Sequence, residues 1–188
     1  MQSTTPKQLQ LKKTSLASEA IWVYSIYHHW IVCKISNEAL REELTILSAE
    51  PIKIHITADG YWQIENKILI YYILFSYELE KFLPLNLTIE KSEKSKFDFI
   101  VIFNELIAMI IRHKKSLPIK TIYNDVKKSL NKNACQTLFK KNTFSIVQYC
   151  SLLNISLATF KRACIFLHKP TTYSYSFPTT HSCSKSAT

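Results

Sequence analysis

Within the stretch SIVQYCSLLNISLATFKRACIFL, from Ser145 to Leu167, five residues have the types and spacing to hold nucleic acid: Ser156, Ala158, Thr159, Lys161 and Arg162. A guanidinium presents paired donors that match phosphate oxygens or the O6 and N7 edge of guanine. An ammonium supplies a compact charge, a hydroxyl bonds phosphate, and a small residue lets the backbone come close. Arg162 is the strongest candidate, with Lys161 and Thr159 beside it. These groups can act together only if a helix carries them on one face.

The surrounding spacing predicts that helix and a partner for it. Ile146, Tyr149, Cys150 and Leu153 fall at i, i+3, i+4 and i+7, the apolar stripe of a first helix. Asn154 stands where the chain must turn, and Asn tolerates the left-handed conformation. Ile155 is placed to plug the angle between the helices. Ser156 is suited to N-cap the second helix, whose own stripe would be Phe160, Cys164 and Leu167. Two helices meeting at about 90 to 120° across a short turn form a helix-turn-helix, whose second helix enters the DNA major groove. Short polar turns between helices are common, and most such pairs bind nothing. Here cap, turn residue, core spacing and basic outward face agree.

The same residues carry a family resemblance. Ser156 followed by Phe160, Lys161, Arg162 and Cys164, with the small Cys150 six positions before the serine, resembles the first helix-turn-helix of AraC/XylS-type transcription regulators. Phe160 with Cys164 is similar to the subgroup that controls type III secretion, and so virulence, genes in enteric bacteria. The resemblance covers about two dozen residues. It implies a divergent N-terminal domain before a module of two helix-turn-helix units joined by a long helix, with DNA as partner. The chain departs from that pattern: Lys169 and Pro170 stand where the family has a closing glycine. From there PTTYSYSFPTTHSCSKSAT replaces the long helix and second unit. Residues 170–188 are expected as a disordered tail, and the chain as a regulator truncated after its first unit.

Composition narrows the alternatives. The 188 residues are 47% hydrophobic, enough for a sizeable core, and carry a formal net charge of +10, which suits an anionic partner. The basic residues read as scattered through the chain. One glycine stands in the whole chain, against a usual ~7%, so no Gly-rich phosphate loop, dinucleotide fingerprint or nucleophile elbow can be built. Five cysteines without a CxxC pair indicate neither a disulfide framework nor a zinc site. His28 and His29, read as neighbours on a strand, would point to opposite faces. No enzyme chemistry and no cofactor are expected. Met1 to Lys13 lacks an apolar core segment, and the apolar runs Ile68 to Tyr77 and Phe97 to Ile111 fall short of the ~18 residues that span a bilayer. A cytoplasmic protein is expected.

The expected fold class is α+β, a strand-rich N-terminal domain followed by a helical C-terminal portion with one helix-turn-helix. Residues 1–18 read as a flexible lead-in and 19–89 as the strand-rich domain. Within it Ile21 to Ile35 is assigned to strands for its β-branched and aromatic content. Ile52, Ile54 and Ile56 alternate with polar residues before Asp59-Gly60, a two-residue hairpin turn. The charge run EKSEKSK makes 90–96 the linker. In 97–169, Phe99, Phe103, Leu106 and Ile110, and then Ile119, Ile122, Val126 and Leu130, repeat at helical spacing. Besides DNA, a homodimer or protein partner is the competing expectation, with Ile165 and Phe166 as contact surface. A remnant without activity is the third.

Overall fold

Of Ile21 to Ile35, the part up to Ile31 is helical and the rest is a turn. Val23, Ile26, Tyr27, Trp30 and Ile31 stand at i, i+3, i+4, i+7 and i+8 and all are buried, so the spacing outweighs the β-branched composition that suggested strands. In the computed structural model, which describes residues 2–4, 14–76, 87–92 and 97–163, a 3-10 turn at Ser18–Ala20 leads into helix α1, Ile21–Ile26. A π-helical turn follows over Tyr27–Ile31. There His28 and His29 do not point to opposite faces of a strand: their rings lie 4.9 Å apart.

The fold is α+β. Strands β1 (Gln2–Thr4), β2 (Thr14–Leu16), β3 (Ile52–Ile56), β4 (Trp62–Ile64) and β5 (Leu87–Ser92) form a mixed sheet in the order β1-β5-β3-β4-β2. β3 lies parallel to β5 and antiparallel to β4, while β2 is parallel to β4 and β1 antiparallel to β5. Ile52, Ile54, Ile64, Leu87 and Ile89 turn one face into the core. The hairpin differs from its expectation by one residue. Thr57 N–H donates to the Tyr61 carbonyl, leaving Ala58, Asp59 and Gly60 as a three-residue turn in which Gly60 takes φ +77°. Two other expectations are corrected. β1 and β2, both inside the supposed lead-in, gain ladder hydrogen bonds at the two sheet edges. Residues 90–92 of the supposed linker belong to β5, with Glu90 opposite Lys53. Sheet partners distant in sequence decide both, which no local charge pattern reveals.

The helices are α2 (Asn37–Ser48), α3 (Ile68–Ser76), α4 (Phe99–His113), α5 (Ile119–Ser129) and α6 (Lys132–Phe139). Side-chain caps start three of them: Ser36 accepts from Ala39 N–H, Asp98 from Ile100 N–H and Asn131 from Ala134 N–H. The apolar run at 68 belongs to α3. α4 and α5 follow their predicted stripes, burying Phe103, Leu106 and Ile110, then Ile119, Ile122, Val126 and Leu130.

The core does not divide at the supposed linker. One hydrophobic cluster extends from Ala17 to Phe160, and polar bonds cross it. Trp30 donates its indole N–H to Asp125. Lys67, held at φ +53°, gives its backbone N–H to Glu105 and its ammonium to Glu50 at 3.1 Å. Glu43 of α2, with a side chain 2% exposed, takes Arg112 Nε and Nη2 at 2.6 Å each and His113 Nε2 at 2.8 Å. The bidentate fork fixes the C-terminal end of α4 against α2.

Two outcomes follow from these buried charges. Glu43→Gln leaves Arg112 with an incomplete partner and should lower unfolding free energy by about 3 kcal/mol, read from urea denaturation. Burial raises the Glu105 carboxyl above its ordinary value, against the opposing pull of Lys67. The folded protein therefore binds a proton there more readily than the unfolded chain. That contribution to stability is present below the ordinary carboxylate range and is lost as pH rises through the raised value. Stability of the parent relative to Glu105→Gln should accordingly fall between acid and neutral pH in parallel denaturation curves.

Candidate nucleic-acid interface

The first helix of the predicted pair is α7, Ile146–Leu152, and it starts on a capping box. Ser145 Oγ accepts from Gln148 N–H at 3.2 Å, and Gln148 Oε1 accepts from Ser145 N–H at 2.8 Å. The signature S-x-x-Q was legible in the sequence, although the apolar stripe alone marked the helix. Tyr149, Cys150 and Leu153 are buried as the spacing requires, but Ile146 is exposed. The turn closes on Asn154 at φ +50°. Asn154 N–H donates to Ser151 O at 3.1 Å and Ile155 N–H to Cys150 O at 3.0 Å, the two bonds of a Schellman motif. Ile155, half-buried, packs against the core between the helices.

Helix α8, Leu157–Arg162, follows with Ser156 as N-cap, its hydroxyl accepting from Thr159 N–H at 3.0 Å. Phe160 alone of α8 is buried. Its ring meets Tyr123 of α5 and Tyr149 of α7 at centroid separations of 5.6 and 6.1 Å, both edge to face. Tyr149 also touches Phe144, so a continuous aromatic cluster underlies both helices. The Tyr149 hydroxyl is buried with no hydrogen-bond partner among the described residues, and burial drives its pKa far above the ordinary phenol value.

The second helix is shorter than its expectation. Ala163 is extended, with φ −60° and ψ 138°, so α8 ends at Arg162. Cys164, Ile165, Phe166 and Leu167 lie outside the described residues, as does the tail 170–188. At this end of α8, Lys120 Nζ donates to the carbonyls of Lys161 at 3.0 Å and Ala163 at 3.1 Å.

Ala158, Thr159, Lys161 and Arg162 are all exposed. Ala158 and Arg162 stand four apart on the side opposite Phe160, with Lys161 and Thr159 on the flanks. Lys161 and Arg162 form no ion pair with a described residue. Ser156, also exposed, takes the N-cap place its position predicts, its hydroxyl engaged with the Thr159 backbone and with Thr159 Oγ1 at 2.9 Å.

Charge is segregated rather than scattered. Residues 97–163 hold eleven Lys and Arg against three Asp and Glu, whereas residues 1–96 hold eleven of each. Of the three acids, Glu105 bonds Lys67 and Asp125 accepts from Trp30, so both are turned to the inner network. The segment that contains the candidate site thus carries a net +8, a signal available from counting by segment.

Among the described residues no cluster of three or more His, Cys, Asp or Glu is placed to hold a metal ion, and no helix is long and apolar enough to cross a membrane. Comparison with family models, curated proteins and solved structures gives no match to this chain.

Because Asn154 sits in the left-handed region, Asn154→Val should cost about 1 to 2 kcal/mol of stability while Asn154→Gly stays near neutral, a contrast measurable by chemical denaturation.

Proposed function

We propose that the chain is a DNA-binding transcription regulator of AraC/XylS type that reads duplex DNA with α8. The observation that carries this reading is the outward face of α8, where Arg162 and Ala158 lie side by side between Lys161 and Thr159, on the most basic part of the chain. In this reading Ala158 admits the groove edge, Arg162 reaches guanine or phosphate, and Lys161 contacts phosphate. Ser156 and Thr159 act through the N-terminal turn they hold together. One unit of this kind gains specificity from a second half-site, so a homodimer or partner completes it. Type III secretion and virulence genes are the target class that the motif suggests. Cytoplasmic work fits the free thiols of Cys33, Cys135 and Cys150.

A second reading, a protein-docking module without DNA, is favoured by Val147, 68% exposed, with Ile146 and Leu157 also exposed on α7 and α8. Salt separates the two. DNA affinity falls steeply with salt as counterions are released, whereas an apolar contact hardly responds.

Fluorescence anisotropy with a labelled mixed-sequence duplex tests the proposal. Affinity should drop as salt rises, and Arg162→Ala should weaken binding about tenfold or more. Binding indifferent to that substitution would remove Arg162 from the contact surface, and absence of salt-sensitive binding by the parent would favour the docking module.

A further inference from the structure

The corner joining α4 to α5, residues 114–118, makes bonds in two directions. Behind it, Arg112 and His113 hold the buried Glu43 of α2. In front, Lys114 Nζ donates to the carbonyl of Leu153 at 3.0 Å, at the end of α7. Lys120, at the start of α5, gives its ammonium to Lys161 O and Ala163 O at the end of α8. Both cations thus sit where a helix leaves carbonyls without amide donors and accumulates partial negative charge. Each spans about forty residues of sequence, so neither is a local cap of its own helix.

A six-residue helix has few internal hydrogen bonds and frays readily in isolation. The last turn of α8 is the part that carries Lys161 and Arg162, and its final carbonyls depend on Lys120. We propose that Lys114 and Lys120 are positioning residues: they fix α7 and α8 to the α4–α5 corner, which Glu43 anchors, and so set the direction in which α8 presents its basic face. The DNA consequence rests on the function proposed above; the positioning itself does not. Lys120 is counted among the basic residues of the segment, yet its charge is spent on carbonyls rather than on a ligand.

Lys120→Met keeps the length of the side chain and removes the donor, while Lys120→Arg keeps a donor. Amide hydrogen exchange on the full chain, without DNA, decides the positioning. Exchange at Phe160 to Ala163 should rise about tenfold in Lys120→Met and return toward the parent in Lys120→Arg, with α5 amides such as Val126 unchanged as the internal control. Should α5 lose protection as well, Lys120→Gln is read in the same way. Unchanged exchange at Phe160 to Ala163 would overturn the proposal. With the labelled duplex, Lys120→Met should weaken binding about tenfold while the dependence of log Kd on log salt keeps the parent's slope. A slope smaller by about one would mean that Lys120 contacts phosphate directly and would equally overturn it. If the parent binds no duplex, the regulator reading fails, and the exchange data still decide whether Lys120 holds α8.

Discussion

A carboxylate withdrawn from water needs opposing charge and hydrogen bonds in place of its hydration, and Glu43 has both. Arg112 and His113 satisfy it from consecutive positions at the end of α4. Because the guanidinium fork tolerates little rotation, α2 and α4 are locked in one register. The chain then leaves α4 through a corner whose next residue, Lys114, already reaches α7. In the positioning proposed above, the direction of α7 and α8 is thus tied to a carboxylate buried far earlier in the chain. Tyr27 lies in the same electrostatic setting: burial raises its hydroxyl pKa well above the ordinary value, and Glu105 and Glu43 add to the rise.

Scarcity of glycine shapes the rest. Four described residues take positive φ, and only Gly60 does so without a side-chain penalty. Lys67, Lys140 and Asn154 adopt the left-handed conformation at a cost of about 1 kcal/mol or more each, and surrounding bonds hold them there. Lys67 is secured by Glu50 and Glu105; Lys140 closes α6 with a bond from its N–H to Gln136 O; Asn154 is fixed by the paired Schellman bonds. At each such point the backbone conformation is held by tertiary or helix-end hydrogen bonding, the turn between α7 and α8 included.

The basic segment is built on that hydrogen-bonded frame. Its charges divide into those used internally, as with Arg112 on Glu43 and Lys114 and Lys120 on helix ends, and those left outward, of which Lys161 and Arg162 stand on α8. A count of Lys and Arg alone overstates what a polyanion could meet. The distinction between structural and available cations is what makes the outward face of α8 the candidate interface.

How much of this was legible in the sequence depended on the range of the forces involved. Ser145, Asn154, Ser156 and Phe160 act within one or two helical turns, and their cap, turn and core positions follow from spacing alone. The α+β class and the stripes of α4 and α5 followed in the same way. Ile21 to Ile35 was readable too, but only by its period, since β-branched content records a preference that packing overrides. Short polar strands at Gln2–Thr4 and Thr14–Leu16 and the extension of β5 into a charge run were not readable. Each depends on a strand partner tens of residues away: β5, β4 and β3 respectively. Local spacing settles which segments turn, cap and bury. Which polar groups they satisfy emerges with the folded chain, because a backbone group or an ammonium bonds to any suitable partner that the fold brings within about 3 Å.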